Sequence, residues 1–228
     1  MDRNDKVTAD IMVAERIKQL IVDQNLEAGD KLPTETELCE QLNVARHTLR
    51  EGIKRLSQLG ILESKTGSGT YVCGPSYDKI EEYLVYLKDR REISKKEVYD
   101  VRLALESTAA GAAACKATDG DIRQLEAILN RMGRTVERSD YVKFVECNVD
   151  FHNAVVDISG NRLLVGITQA IQNLIRYSMY ATESDFKRNI DSSYQGHLEI
   201  YEAIRRHDEA AAIEAMKKHL LKSSMSKL

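Results

Sequence analysis

No apolar run in the 228 residues approaches the length of a bilayer span, and no charged, apolar and small-residue signal peptide opens the chain. The four cysteines, Cys39, Cys73, Cys115 and Cys147, lie far apart and form no Cys-x-x-Cys pair. That argues against a disulfide framework or a thiolate zinc site and fits a reducing cytosol, so a cytoplasmic protein without a membrane partner is expected. Positive charge is not in excess either. The formal net charge is -3, and within residues 1–75 acids slightly outnumber Lys and Arg. Any nucleic-acid binding must therefore come from a local basic face rather than from the bulk charge. Proline is scarce as well: only Pro33 and Pro75 occur, and none follows Tyr77.

What is present before Pro75 reads as a small mixed domain. DIMVAERIKQLIVDQ, from Asp10, places Ile11, Ala14, Ile17, Ile21 and Val22 on one helical stripe, with Asp10 as its expected N-cap. LEAGDKLP breaks that helix, since Gly29 permits a turn and Pro33 restricts the residue before it. Thr34 and Glu37 have the spacing of a capping box at the head of TETELCEQL, and Asn43-Val44 makes a tight turn. A third helix from Ala45 runs to Gly60. ILESKT and TYVC, separated by Gly67-Ser68-Gly69, then read as a hairpin.

After Pro75 only successive amphipathic helices remain. Breaks near Arg91, Thr118, Ser139, Gly160, Glu183 and His207 divide the segment into about seven. Ser94 with Glu97 and Thr118 with Asp121 have capping-box spacing, and Ser139 and Asp208 are expected N-caps. The fold expected is mainly α: a winged helix-turn-helix over residues 1–75 and an all-α helical bundle over residues 76–228.

A helix-turn-helix followed by a two-stranded wing lays its second helix in the major groove, where residues near the helix start meet base edges. On the helix from Ala45, the side chains of Arg46, His47, Thr48 and Arg50 point outward, while Val44, Leu49, Ile53 and Leu56 face the core. Lys54, Arg55 and Lys65 extend the basic character, against Glu51 and Glu63. The alternative is a solvated basic helix on an unrelated small domain, and pattern alone leaves the two about level.

The residues themselves carry a resemblance. Ala28-Gly29, Leu32-Pro33-Thr34-Glu35, Glu37-Leu38, Val44-Ala45-Arg46-His47-Thr48-Leu49-Arg50, the Leu56 to Gly60 segment and Gly67-Ser68-Gly69-Thr70 resemble, in order, the N-terminal domain of the GntR family of regulators. The likeness implies a bacterial-type transcription regulator binding double-stranded, pseudo-palindromic operator DNA as a homodimer. Thr34, Arg46, His47, Thr48, Arg50, Gly67 and Gly69 would then be the DNA-contacting positions. Two departures stand out: Ala45 replaces a small hydroxyl residue and Thr36 an arginine. Both point to a different operator sequence or affinity.

Four of the five histidines lie in the helical segment: His152, His197, His207 and His219. His207 falls at an apparent helix end, where a solvated or capping role fits. The other three occupy separate helices, and Asn148 precedes His152 by one turn on the same face. Each alone is more often an ordinary part-buried residue than a ligand, and sequence cannot show whether they converge. Here too there is a resemblance, over residues 94–222, to the helical effector domain of FadR-like GntR regulators, the FCD domain. Its marks are Val101-Arg102-x-x-Leu105-Glu106, the alanine-rich stretch Ala109–Ala117, Asn148-x-x-x-His152, Gly196-His197 and Met216-x-x-His219.

That resemblance implies a divalent metal on Asn148, His152, His197 and His219, completed by a small organic acid as effector. Three imidazoles suit zinc or nickel, with manganese third. Arg102 would face the acid, or else pair with Glu106 one turn away; the two readings stand level. Arg176 and Tyr177, on a helix expected to line the same cavity, are weaker effector-binding candidates, and a core or dimer-face role suits that Leu/Ile-rich helix equally. A repressor relieved by the acid is the arrangement expected, with a regulator responding to the metal itself as its rival. A metalloenzyme is disfavoured, because Asp150 and Asp157 are not spaced as a catalytic pair and a DNA-binding domain makes catalysis unnecessary.

Overall fold

In the computed structural model, which describes the backbone of residues 9–74, 77–171, 174 and 183–225, the chain consists of helices and one small antiparallel hairpin. It divides into two compact units, Met1–Lys79 and Ile80–Leu228. Among the described residues no helix is long and apolar enough to cross a membrane.

In the first unit, α1 (Ala9–Asp23), α2 (Glu35–Leu42) and α3 (Arg46–Gln58) precede β1 (Leu62–Lys65) and β2 (Gly69–Val72). Their apolar faces meet in one core that includes Ala14, Ile17, Leu38, Leu49, Leu56 and Leu62. Gly52 lets α3 approach α1: a Cβ there would stand 2.8 Å from Val13 Cγ1 and 3.3 Å from the Ala14 backbone nitrogen. The α2 capping box forms, with Glu37 N–H donating to Thr34 Oγ1 at 3.3 Å and Thr34 N–H to Glu37 Oε2 at 2.7 Å. Asn43, left-handed at φ 45, closes α2.

Three local details differ from the sequence reading. Asp10 lies inside α1 and is ion-paired with Arg55 at 3.5 Å. Helix α3 begins at Arg46, with Ala45 as an extended N-cap that makes no side-chain cap bond, because alanine has no acceptor to offer. Gly69 belongs to β2 rather than to the turn, and the pairing runs from Leu62↔Val72 to Lys65↔Gly69. The turn reading of LEAGDKLP also omits a pairing: Leu32 N–H donates to the Thr70 carbonyl and Val72 N–H to that of Asp30, both at 2.8 Å. This segment lines the free edge of β2, a non-local contact that no local pattern announces.

Helix α4 (Asp78–Asp89) begins at the boundary, and the second unit continues with α5 (Lys95–Lys116), α6 (Asp119–Glu137), α7 (Tyr141–Ile158), α8 (Arg162–Ala170), α9 (Glu183–Arg205) and α10 (Glu209–Met225). These are seven helices among the described residues. Ser94 and Thr118 form their capping boxes with Glu97 and Asp121. Ser139 does not cap α7: it takes a left-handed turn at φ 52, and Asp140 caps instead, accepting from the Lys143 N–H at 3.2 Å. The Ala211 N–H donates to Asp208 at 3.0 Å, as expected of an N-cap.

Helix α5 lies at the centre of the unit, against α7, α9 and α10. Ala109, Ala110, Ala113 and Ala114 are fully buried on it, and a Cβ at Gly111 would meet Ile213 of α10 at 2.8 Å. Small side chains thus bring the neighbouring helices close to the middle of α5, where Arg102 and Glu106 are also buried.

Candidate DNA-reading face and histidine site

The first turns of α3 present Arg46, His47 and Arg50 to solvent, with Thr48 half-buried and Leu49 sealed beneath. Helix α2 orients the two arginines. Arg46 Nη2 donates to Thr36 Oγ1 at 3.3 Å, and Arg50 Nε lies 3.0 Å from both carboxylate oxygens of Glu35. Thr36 is thus the acceptor that steers the first arginine. Exposed pairs of this kind are weak, so both guanidiniums can exchange these partners for a phosphate or a guanine edge. Arg55 faces away, on Asp10 of α1.

At the wing, Gly67 is left-handed at φ 73 and Gly69 adopts φ 129. A Cβ at Gly69 would sit 3.3 Å from Lys31 Nζ and closer still to its stem, so this glycine opens the path by which Lys31 crosses the wing. Lys65 stands 5.2 Å over the Tyr71 ring. Thr34 is held by its capping box, its hydroxyl 2.7 Å from Glu37 Oε2.

In the helical unit, His152 on α7, His197 on α9 and His219 on α10 converge, and all three are buried. One ring nitrogen from each lies within 4.8 Å of the others. Nε2 of His152 and Nε2 of His219 are 3.3 Å apart. The His197 ring lies 4.2 Å from that of His219 and 5.2 Å from that of His152, centroid to centroid. His197 Nδ1–H donates to the Ser193 carbonyl at 2.7 Å, which leaves Nε2 as the lone-pair nitrogen. That atom is buried without a hydrogen-bond partner.

Burial pushes His197 well below the usual imidazole range, and the His152 charge adds to the effect. Burial lowers His219 in the same way, followed by its two neighbouring histidines. Both are neutral at pH 7, the state that a ligand requires. Gly196 makes room for the third ring: a Cβ there would fall on Nδ1 of His219 and stand 3.2 Å from its Cγ. Phe151 packs edge-on against His197 at 5.0 Å between centroids. Asn148 is buried one turn before His152 on α7.

These residues fit a divalent metal. Nitrogens each about 2.0–2.1 Å from a tetrahedral ion stand roughly 3.3–3.4 Å apart, and the His152–His219 separation falls there. The unpartnered Nε2 of His197 and the three converging imidazoles agree with it.

Arg102 lies against Glu106, one of the two alternatives left open by the sequence. Nε donates to Glu106 Oε1 at 2.6 Å, and the residue is 1% exposed. Glu106 Oε2 is in turn 2.5 Å from His152 Nδ1, off the axis of a well-aligned hydrogen bond. Burial alone would raise the Glu106 carboxyl, but Arg102 and His152 overcome it and hold the group down to about 2. Glu106 is legible in the sequence as the partner of Arg102, whereas its approach to His152 crosses from α5 to α7. His207 donates through Nδ1 to the Ala114 carbonyl at 2.8 Å and stays outside the cluster. Arg176 and Tyr177 lie outside the described residues.

A groove of about 240 Å³ on the α6–α7 surface is lined by charges of both signs, Arg134 and Arg138 beside Glu146 among them. Its Arg131 and Lys143 are already paired, with Asp150 and Asp140. None of the three clustered histidines lines it.

Comparison with known proteins brings both sites under one heading. The model of the bacterial regulatory proteins of the gntR family matches residues 11–72, and that of the FCD domain residues 97–222. The chain belongs to the GntR family. The first match covers the whole helix-turn-helix and wing; the second contains all three clustered histidines, Arg102 and Glu106.

Curated relatives within reach include the HTH-type transcriptional repressor NanR of Edwardsiella tarda, 32% identical over 215 residues, which span 92% of this chain and 81% of the relative. The repressor of the same name in Escherichia coli K12 is also 32% identical, over 92% of this chain and 80% of its own. The solved structure of Streptococcus agalactiae GntR superposes with a TM-score of 0.79 at 31% identity, covering 95% of this chain and 99% of that one. As a GntR regulator the chain is a DNA-binding transcription regulator, and its relatives are regulators rather than enzymes.

Proposed function

We propose that this GntR regulator is a cytoplasmic, homodimeric repressor whose operator affinity is set by a small carboxylate bound at a metal site in the helical unit. Residues 1–75 read the operator and residues 76–228 sense the acid. The observation that carries this reading is the convergence of His152, His197 and His219, with the buried Nε2 of His197 left without a partner.

Charge supplies the class of effector. Three imidazoles and the Asn148 amide bring no negative charge, and Arg102 and Glu106 cancel each other. A divalent cation on this set (zinc or nickel by donor type, then manganese) would bring positive charge that no acidic ligand among the named residues offsets. An anionic ligand answers that charge, which favours a small acid over a neutral metabolite. Arg102, engaged with Glu106, does not need to touch the acid for this to hold.

In the first unit, Arg46, His47, Thr48 and Arg50 read base edges, while Thr34, Gly67 and Gly69 position the backbone on the duplex. One recognition helix spans only a half-site, so two copies read a pseudo-palindrome. The relatives named as repressors favour repression as the sign of control. The acid controls affinity only by binding the two conformational states unequally.

The test is a thermal-shift screen of small carboxylates with and without a chelator, followed by operator titration with each hit. A ligand at a hundred times its dissociation constant adds about 2.7 kcal/mol, and each kcal/mol raises the midpoint by roughly 2–4 °C at this chain length. A shift of that size that vanishes on chelation, together with weakened operator binding, is the expected result. A midpoint raised by metal alone, with operator affinity that follows the metal and ignores every acid, would replace acid sensing by metal sensing.

A further inference from the structure

We infer that Glu106 is the positioning residue of the histidine site, holding the His152 ring from behind, and that Arg102 is its buried counter-ion. The inference rests on the metal reading above and deepens it.

Each of the three rings is set by a different device. His197 is held by a backbone carbonyl, since its Nδ1–H donates to Ser193 at 2.7 Å and Nε2 faces the cluster. His219 lies in the slot left open by the missing side chain of Gly196. His152 has a carboxylate against its far edge, close but not aligned as a hydrogen bond. Glu106 Oε2 lies 2.5 Å from Nδ1, while Nε2 on the opposite edge of the ring lies 3.3 Å from His219. Glu106 comes from α5, which contributes none of the three histidines. Its Oε1 accepts from Arg102 Nε–H at 2.6 Å, while Oε2, which also accepts from Arg102 Nη2–H at 3.4 Å, faces His152.

Stability alone does not account for this pair. Taking two charges out of water costs several kcal/mol per ion, and apolar residues of equal volume are often as stable or better. Arg102 and Glu106 are each 1% exposed, so the full penalty applies. A carboxylate behind a ligand imidazole fixes the tautomer and ring angle and strengthens the nitrogen on the far side. The guanidinium, equally buried and 2.6 Å away, balances the charge of that carboxylate. Read together, Arg102, Glu106 and His152 form a relay of contacts from α5 to the ligand nitrogen of α7. Arg102 thus acts on the site through Glu106 rather than by clamping the effector.

The experiment uses the full chain and zinc alone, in competition with a chromophoric chelator. Arg102→Met combined with Glu106→Gln removes both charges while keeping the volumes, so the protein should fold with a midpoint near that of the parent. Its zinc affinity should nevertheless fall by about 10–100-fold. Equal affinity in the two folded proteins overturns the inference while leaving the metal reading intact. Should the parent itself fail to bind zinc, the metal reading fails instead. Nitrogen NMR of the metal-free parent then decides the role of Glu106, and also decides it if the double variant does not fold. His152 protonated on Nδ1 and bare on Nε2 supports the inference, and the opposite tautomer refutes it.

Discussion

Residue by residue, both sites depend on what is missing as much as on what is present. Gly196 is the sharpest case, because any side chain there lands on the His219 ring. Gly196→Ala should displace that ring, cost roughly 1–3 kcal/mol through overpacking, and weaken zinc binding more than its fall in thermal midpoint would suggest. Calorimetry and zinc titration on one preparation check this, and unchanged zinc affinity would show that the slot does not set the ring.

On the DNA-reading face, Arg46→Ala should lose about 1–3 kcal/mol of discrimination at one base position, measured as the operator-to-mutant-operator ratio at fixed salt. Glu35→Gln should do the reverse for general affinity. It releases Arg50 from its carboxylate partner and should raise binding to unrelated duplex, with a steeper salt dependence. At this scale the same-face spacing of Asn148 and His152 and the pairing of Arg102 with Glu106 are legible in the sequence, since both are one helical turn apart. The approach of Glu106 to His152 is not, because it joins residues of two helices.

At the level of elements, the helix starts are local chemistry. The boxes at Thr34, Ser94 and Thr118 form as their spacing predicts, because donor and acceptor sit three residues apart in one chain segment. Their hydrogen bonds lower the carboxyls of Glu37, Glu97 and Asp121. A depressed carboxyl contributes stability that is fully present above its unfolded value, 4.5 for Glu and 3.8 for Asp. That contribution is lost as pH falls through the lower folded value. Ser94→Ala should therefore lower stability by about 1 kcal/mol near neutral pH, and the gap to the parent should narrow as pH falls below 4.5 and through the lower folded value of Glu97. Urea unfolding across a series of acid pH values measures it; a gap that is constant with pH would mean that Glu97 plays no part.

The misplaced N-cap of α7 shows the limit of such reading. Ser139 and Asp140 are adjacent and both suit the role, and the backbone chooses between them when Ser139 takes the left-handed turn. The strip from Asp30 to Leu32 beside β2 is a second case, since its partner residues lie some forty positions further along.

For the whole molecule, the chain separates into two units with separate cores, one from α1 to β2 and one around α5. Two unfolding transitions are therefore expected in calorimetry, and zinc should raise only the one that belongs to the helical unit. A single transition that moves as a whole with zinc would show the two units unfolding as one.

The sequence by itself determines the class of each unit and the outward arginines of α3, and its family resemblance singles out the three histidines. These follow from periodicity, from caps closed within a few residues, and from motifs whose members are neighbours along the chain. Only the tertiary structure decides that the histidines meet, that Gly196 is the slot for His219, and that Arg102 is sealed behind Glu106. Convergence is a property of how α5, α7, α9 and α10 pack. That packing is set by the small residues along α5 and by the volumes around them, which no spacing within a single helix encodes.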